Sequence, residues 1–526
     1  MSTDIVYANH DFARSMGVPL YTEVTSMLHH PAGLGEWLFR QAAYPELADN
    51  SADYMLRYYP HRTPEMEAFR ARILGMREGL GWFMDEVIAR YRLGEAHLVG
   101  FTSMFAQNVA SFAMARKLKA INPEIVTVLG GANCEAPMGQ EIIRSVPWLD
   151  YVFSGPALKS FPELLRARLA GDDSAALRIN GVFARSSHVL EAARTPHAPG
   201  AEVDAGEGVR AFGDELELDV PVPLDYDPFF ASLDDKGIGD QVEPYVLFET
   251  SRGCWWGQRS HCTFCGLNGS AMGYRSMQSY GAIQQLQALF KHSGRSRRLE
   301  SVDNIMPKSY LTEVLPFLDV PPDMGIFYEV RADLNEEDFR VLARARVRWI
   351  QPGIEALNTS TLKLMKKGTS AFQNIMFLMN CARFDITPAW NLLIGFPGEE
   401  MAVYEKYLAD IPLLTHLPPP SGAFPVRFDR YSPYFVRAEE YGLKLMPLDY
   451  YPLVYPFPAE VLGTMAYYFA DRNYTAKYFT NVARMQGKLR ERIDRWKALW
   501  SHQDGTPRPE LFLRASADGG WSVYDS

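Results

Sequence analysis

Positive charge is in deficit in this chain: 53 basic against 63 acidic side chains leave a net charge of -10 over 526 residues. That balance removes any general attraction to phosphate backbones or anionic lipid and disfavours a nucleic-acid partner. No leader is expected either, since MSTDIVYANHDFARSMG has no basic flank followed by an apolar run. No stretch reaches the roughly 20 apolar residues that cross a bilayer, so a soluble, cytoplasmic protein with no membrane partner is expected. Cysteine is scarce. Five in a long chain without a secretion signal make no disulfide framework, and in a reducing compartment clustered thiols point to metal or redox use. Neither a Ser/His/Asp triad nor a repeat of 20 to 50 residues is evident.

What is present is a globular composition, 47% hydrophobic and 22% charged, in a chain long enough for about three domains. Between 95 and 165, LVGFTS, IVTVLGGAN and YVFSG alternate with helical sequence, the pattern of a parallel, doubly wound sheet. Each of these strands ends in small residues: Thr102 and Ser103, Gly130 and Gly131, Ser154 and Gly155. Such ends either let backbone approach a ligand or merely make tight turns. Residues 186–240, rich in Pro, Gly, Ala and Asp, read as a linker that packs in part through Tyr226, Phe229 and Phe230. A second alternation follows, with candidate strands at 245–251, 299–305, 325–332, 348–356, 388–396 and 424–432; six βα units predict a closed or partly open barrel. GRSRRLE, 294–300, reads as a solvated loop before a strand, with binding of a peptide leader as the alternative. Residues 436–526 are expected to form a small, mainly helical appendage ending in a hairpin around Asp-Gly-Gly, whose shape would suit strand addition by a peptide.

Directly after the first barrel strand comes SRGCWWGQRSHCTFCGLNG, in which Cys254, Cys262 and Cys265 are spaced C-x7-C-x2-C. The close pair lets two thiolates on one loop reach a common metal or cluster. Zinc held by the three thiols and His261 is one reading. An iron-sulfur cluster with one iron left for a substrate or cofactor is the other, and it favours catalysis over electron carriage. Cys134 and Cys381 stand apart from the cluster and read as small buried residues.

With Phe264 inside the dyad and the flanks CWWG and HCTFCGLN, the chain resembles radical S-adenosylmethionine (SAM) enzymes. Within them it is similar to the cobalamin-dependent C-methyltransferase family of ribosomal-peptide (RiPP) maturation, over about residues 5–450. The resemblance implies a fold of α/β class: a Rossmann-like cobalamin domain at 1–185, a partial (βα)6 TIM-like radical SAM barrel at 241–435, and the helical appendage. It also implies a [4Fe-4S] cluster on Cys254, Cys262 and Cys265 whose open iron takes SAM. The SAM contacts it implies are Phe264, Asp303, Asn304, Arg331 (for the carboxylate), Glu355 (for the ribose or amino group), and Ile394 and Gly395 (near adenine). LVGFTSMFAQN, VTVLGGANCE and YVFSGPA fall in the order of the family's corrin-binding segments, which makes Thr102, Ser103, Gly130, Gly131, Ser154 and Gly155 the implied cobalamin contacts. The implied reaction is methylation of an unactivated carbon in a precursor peptide, with electrons from a flavodoxin- or ferredoxin-type donor. Cyclisation or epimerisation of a peptide, and a non-catalytic cobalamin- or zinc-binding protein, are the alternatives. Three departures from the family are visible. Asp-x-His-x-x-Gly is absent, so no histidine is expected below cobalt; Pro156 follows Gly155; and the chain begins almost at DIVYAN, so a late start or a sheet lacking an edge is expected.

Overall fold

The computed structural model describes residues 2–185, 209–267, 269, 271–501, 508–515 and 519–526. It divides into two compact units, 1–217 with 225–242 and 446–469, and 218–224 with 243–445 and 470–526. The expected linker's residues 186–208 lie outside the described residues. No helix among the described residues is long and apolar enough to cross a membrane.

The first unit opens with helices: α1 (Ala8–Met16), α2 (Val18–Thr25), α3 (Leu34–Ala43), α4 (Ser51–Tyr58) and α5 (Pro64–Arg90). The last starts where it does because the Thr63 side chain accepts from the Met66 amide and Pro64 needs no partner for an N–H it lacks. Trp37 and Tyr54 stack at 4.0 Å, with the Arg77 guanidinium 4.1 Å from the Trp37 ring on its other side, so an aromatic sandwich binds α3, α4 and α5. Then come β1 (Leu98–Thr102), α6 (Asn108–Ile121), β2 (Val126–Gly130), α7 (Met138–Ser145), β3 (Tyr151–Phe153), α8 (Ser160–Leu169) and β4 (Val182–Ala184). β1, β2 and β3 are parallel and in register, Thr102 opposite Gly130 and Leu129 opposite Val152, which sets the three predicted strand ends side by side. β4 joins antiparallel to β3. The doubly wound layout is corrected: the order β1-β2-β3-β4 advances in one direction without reversal. The described chain before β1 is wholly helical and supplies no strand for its outer edge. The aromatic residues of the expected linker do pack, since Phe229 meets Tyr7 and His10 at 5.6 and 5.2 Å and Phe230 is buried.

In the second unit β5 (Tyr245–Phe248), β8 (Arg298–Ser301), β9 (Gly325–Val330), β10 (Val347–Pro352) and β11 (Thr387–Pro388) form one parallel sheet in that order, and β12 (Leu392–Ile394) pairs parallel with β13 (Ala423–Pro425). A short antiparallel pair, β6 (Ser251–Arg252) and β7 (Arg275–Ser276), brackets the cysteine segment. The fifth expected strand is broken into β11 and β12: Pro388 brings no N–H, and Trp390 turns into the core to donate its indole N–H to the Pro418 carbonyl. Burial alternates along β5 and β8, while β9 is buried on both faces up to Tyr328 and β10 shifts register between Val347 and Trp349. Val246, Phe248, Leu299, Ile326, Tyr328 and Ile350 are buried, whereas Leu247, Arg298, Glu300 and Glu329 point to the other, more open face. Arg298 corrects the solvated-loop reading of 294–300, because it stands on a strand with its guanidinium 4.7–4.9 Å from the rings of Tyr245, Phe327 and Trp349. Connecting helices are capped by sequence: Asn335 with Asp338, and Ser370 with Gln373, form reciprocal capping boxes. A long helix, Lys477–Ala498, buries Met485, Leu489, Ile493 and Trp496 on one side, and the terminal strands Leu511–Ala515 and Trp521–Asp525 pair antiparallel with every residue exposed.

Candidate functional site

The cysteine segment leaves β6 through Gly253, whose φ of +76° is a left-handed conformation that glycine adopts without strain and whose missing Cβ makes room for the Gly273 carbonyl. Cys254 caps a five-residue helix, Trp255–Arg259, its sulfur accepting from the Gly257 amide at 3.2 Å. Beyond that helix the loop turns back, with the Cys265 amide donating to the Cys262 carbonyl at 3.2 Å. Thr263 pins it: its amide and hydroxyl donate to the carbonyls of Met365 and Leu364, and its own carbonyl accepts from the Tyr434 amide. Burial pushes the Cys265 thiol up to about 12 and raises Cys262 as well, with Cys254 and Cys262 adding to the rise at Cys265. The thiols of Cys262 and Cys265 therefore favour their protonated form, and a cation bound there must displace those protons. Among the described residues no three His, Cys, Asp or Glu side chains are closed into a ready metal-binding group. Nε2 of His261 donates to the Cys265 carbonyl at 2.9 Å, which ties the ring to the loop through that nitrogen. The donor set is thus three thiols on one loop, soft ligands in the number that suits a cluster with one open iron.

Around this loop the strand ends place the other predicted residues. Asp303 is fully buried, its carboxylate accepting from the Thr250 amide and hydroxyl and the Ser251 amide; burial lifts it to about 6 against these bonds. Both its oxygens are engaged within the fold, tying the end of β8 to the end of β5 and presenting Asn304 next to it. Arg331, just past β9, gives its Nε to Asp333 at 3.1 Å and Nη1 to the Lys367 carbonyl at 3.2 Å. Glu355, in a left-handed conformation (φ +55°), pairs with Lys367 at 3.0 Å. Lys367 also lies 5.5 Å from the Phe264 ring; burial opposes its charge, but Glu355 and the neighbouring thiols outweigh that and raise its pKa. Ile394 is buried in β12, and Gly395 (φ +81°) gives its amide to Glu399 and to the Tyr404 hydroxyl. Glu399 accepts from Thr361 and Tyr404 as well and so holds the whole GFPGE turn. Cys381 is buried in the helix Ala371–Arg383.

Sequence reasoning missed Glu329, Lys367 and Glu399. Glu329 is lifted to about 8 by burial and by the charge of Glu355. Its signal was an acid inside an otherwise apolar strand, GIFYEV.

In the first unit Ser103 and Ser154 are buried, and their hydroxyls are used internally: Ser103 donates to Asn108 Oδ1 and accepts from Asn133, and Ser154 accepts from the Ala136 amide. Gly131 (φ +111°) is glycine because a Cβ would stand 2.4 Å from the Ser103 carbonyl oxygen, and at Gly155 (φ +82°) it would stand 2.8 Å from the Phe212 ring. Thr102, Met104, Phe105, Gly131 and Ala132 are exposed along the carboxyl ends of β1 and β2, a largely apolar surface. Cys134 is buried beneath it.

No protein-family model matches the chain, and no curated protein sequence matches it. Solved structures do. The chain is similar to the cobalamin-dependent S-adenosylmethionine radical enzyme OxsB with aqua-cobalamin bound, at a TM-score of 0.52 and 15% identity over 74% of this chain and 57% of that one. It is also similar to the radical S-adenosylmethionine methyltransferase TsrM from Kitasatospora setae, with tryptophan substrate and a SAM analogue bound, at 0.51 and 14% over 76% and 80%. Our chain spans little more than half the length of OxsB. At these identities the likeness establishes a shared fold, a mixed α/β architecture with parallel sheets.

Proposed function

We propose that this chain is a cobalamin-dependent radical SAM methyltransferase acting on an unactivated carbon of a ribosomally made precursor peptide, with a Rossmann-like corrin domain and a partial (βα)6 barrel. The observation that carries the reading is the loop of three thiols, Cys254, Cys262 and Cys265, at the carboxyl end of the first barrel strand, with Nε2 of the neighbouring His261 committed to the Cys265 carbonyl. Likeness to OxsB and TsrM, whose names include cobalamin or methyl transfer, supports it. Cys254, Cys262 and Cys265 would hold a [4Fe-4S] cluster. When bound, the cluster supplies an electron to SAM and cobalamin supplies a transferable methyl group. Arg331 takes the SAM carboxylate, Glu355 held by Lys367 takes the amino or ribose group, and Phe264, Ile394 and the Gly395 turn line the adenine side. Asp303 acts from beneath, fixing the strand end that presents Asn304. Thr102, Gly130, Gly131 and Gly155 bring backbone to the corrin, while Ser103 and Ser154 set the turns. A flavodoxin- or ferredoxin-type protein delivers the electron.

The test is to load the anaerobically reconstituted protein with hydroxocobalamin, desalt it and record the visible spectrum, then treat a short peptide encoded beside its gene and weigh it. One corrin per chain and a peptide heavier by one methyl group are expected. A colourless first unit, or a peptide changed without that gain, would overturn the methyltransferase reading.

A further inference from the structure

Seven residues separate Cys254 from Cys262, and they are not slack. They carry the helix Trp255–Arg259, whose two rings lie against cations: the Arg331 guanidinium stands 3.8 Å from the Trp256 ring centre and 5.6 Å from that of Trp255, and Lys308 stands 5.2 Å from Trp255. At 3.8 Å the guanidinium carbon is in contact with the ring face, the position in which cations bind aromatic rings. Trp255 is anchored separately, its indole N–H reaching the Met306 carbonyl at 3.5 Å. Trp256 is not, because its indole N–H is buried with no acceptor. A ring placed only to fill space would be served without that cost by phenylalanine; indole is the strongest cation binder of the three aromatic rings.

A second, sequence-distant position enforces the same stack. Gly368 has φ +72°, and a Cβ on it would lie 2.3 Å from Trp256 Cη2, so the ring occupies the space a side chain would need. The residue before it, Lys367, provides the carbonyl that takes Arg331 Nη1, and Asp333 takes Nε. Arg331 is thereby held by a ring and, at two of its three nitrogens, by two acceptors, and it is 8% exposed. A guanidinium has five N–H donors. The two committed bonds leave the N–H groups of Nη2 to an oxyanion, and a guanidinium fixed at its other two nitrogens already has that end oriented for a carboxylate.

We propose that Trp256, with Gly368 behind it, is the positioning residue for Arg331: the long interval between the first two cysteines exists to bring a ring under the guanidinium that receives a ligand carboxylate. Identifying that carboxylate with the one in SAM rests on the function proposed above. Trp256 acts through the orientation of Arg331.

Three variants test this in the reconstituted full chain: Trp256→Leu removes the ring, Trp256→Phe keeps one, and Gly368→Ala pushes the indole off its seat. SAM affinity is measured by equilibrium dialysis, iron per chain by analysis, and the labelling rate of Arg331 by phenylglyoxal with mass mapping, which needs no ligand. Expected are a loss of SAM affinity of about tenfold in Trp256→Leu and Gly368→Ala, faster labelling of Arg331 in both, wild-type iron, and Trp256→Phe within about threefold of wild type on each measure. Wild-type affinity and labelling in Trp256→Leu and Gly368→Ala would overturn the proposal, as would a loss that tracks iron in every variant, which marks Trp256 as a prop for the loop. Should the wild-type protein bind no SAM, the function proposed above falls, and the labelling rates alone still decide the role of Trp256.

Discussion

Glu36 is a buried carboxylate that no motif announces, and its effect on stability can be worked through. It lies on α3, is 4% exposed, and accepts from the backbone amides of Asn108 and Val109 at 3.1 and 2.7 Å, so it closes the open N-terminus of α6. Burial lifts it from 4.5 to about 7 against these bonds. Between those values the folded chain keeps a proton that the unfolded chain has released, so stability falls as pH rises through this window. From pH 5 to pH 8 the loss is about 2–3 kcal/mol, at about 1.4 kcal/mol per pH unit of difference. Glu36→Gln keeps an acceptor for the two amides and removes the charge. The variant is expected to match wild type near pH 5 and to exceed it at pH 8 by that amount, which is roughly 5–10 °C in the unfolding midpoint of a unit this size. Differential scanning calorimetry of both proteins at the two pH values checks it, because every other titrating group is common to both. A gap between the two proteins that does not change with pH would refute the burial argument. A Glu36→Gln protein less stable at pH 8 would reverse its sign.

Gly131→Ala is expected to cost about 2 kcal/mol or more, since a Cβ there meets the Ser103 carbonyl oxygen at 2.4 Å in a left-handed conformation, whereas Gly130→Ala, whose nearest neighbour is an ordinary contact at 3.6 Å, costs far less; thermal unfolding compares the pair. Glu399→Ala strips the acceptor from the Gly395 amide and from the hydroxyls of Thr361 and Tyr404, and a destabilisation of about 3 kcal/mol or more is expected by the same measurement. His261→Ala removes a bond to a carbonyl and nothing from the thiols, so iron per chain after reconstitution stays at the wild-type level.

The strands of the second unit were legible because period-two burial writes itself into sequence: YVLF, RLES and GIFYEV alternate or run apolar as their faces require. The break at Pro388 was written there too, but its companion cause, Trp390 reaching Pro418, lies 28 residues away. The sheet order of the first unit was not legible, for which edge a strand pairs along depends on what covers the other. Arg298 was misread because a run of charges hides that alternate members face opposite sides of a strand. The serines after β1 and β3 show the same limit: Ser103 and Ser154 stand where a ligand-binding turn would put them, yet their hydroxyls close hydrogen bonds inside the turn. Glu36 had no signal at all, because its partners are 72 and 73 residues further on. The three clustered cysteines were readable from spacing alone.

The central claim is that three thiols, and no fourth side chain, hold a cluster open to SAM. Its most direct measurement is iron and electron paramagnetic resonance of the reduced, anaerobically reconstituted chain, with and without SAM, in wild type and Cys262→Ala. The account predicts about four irons per wild-type chain and a signal that changes when SAM is added, both lost in Cys262→Ala while the fold persists. A full iron complement in Cys262→Ala, or a wild-type signal indifferent to SAM, would contradict it.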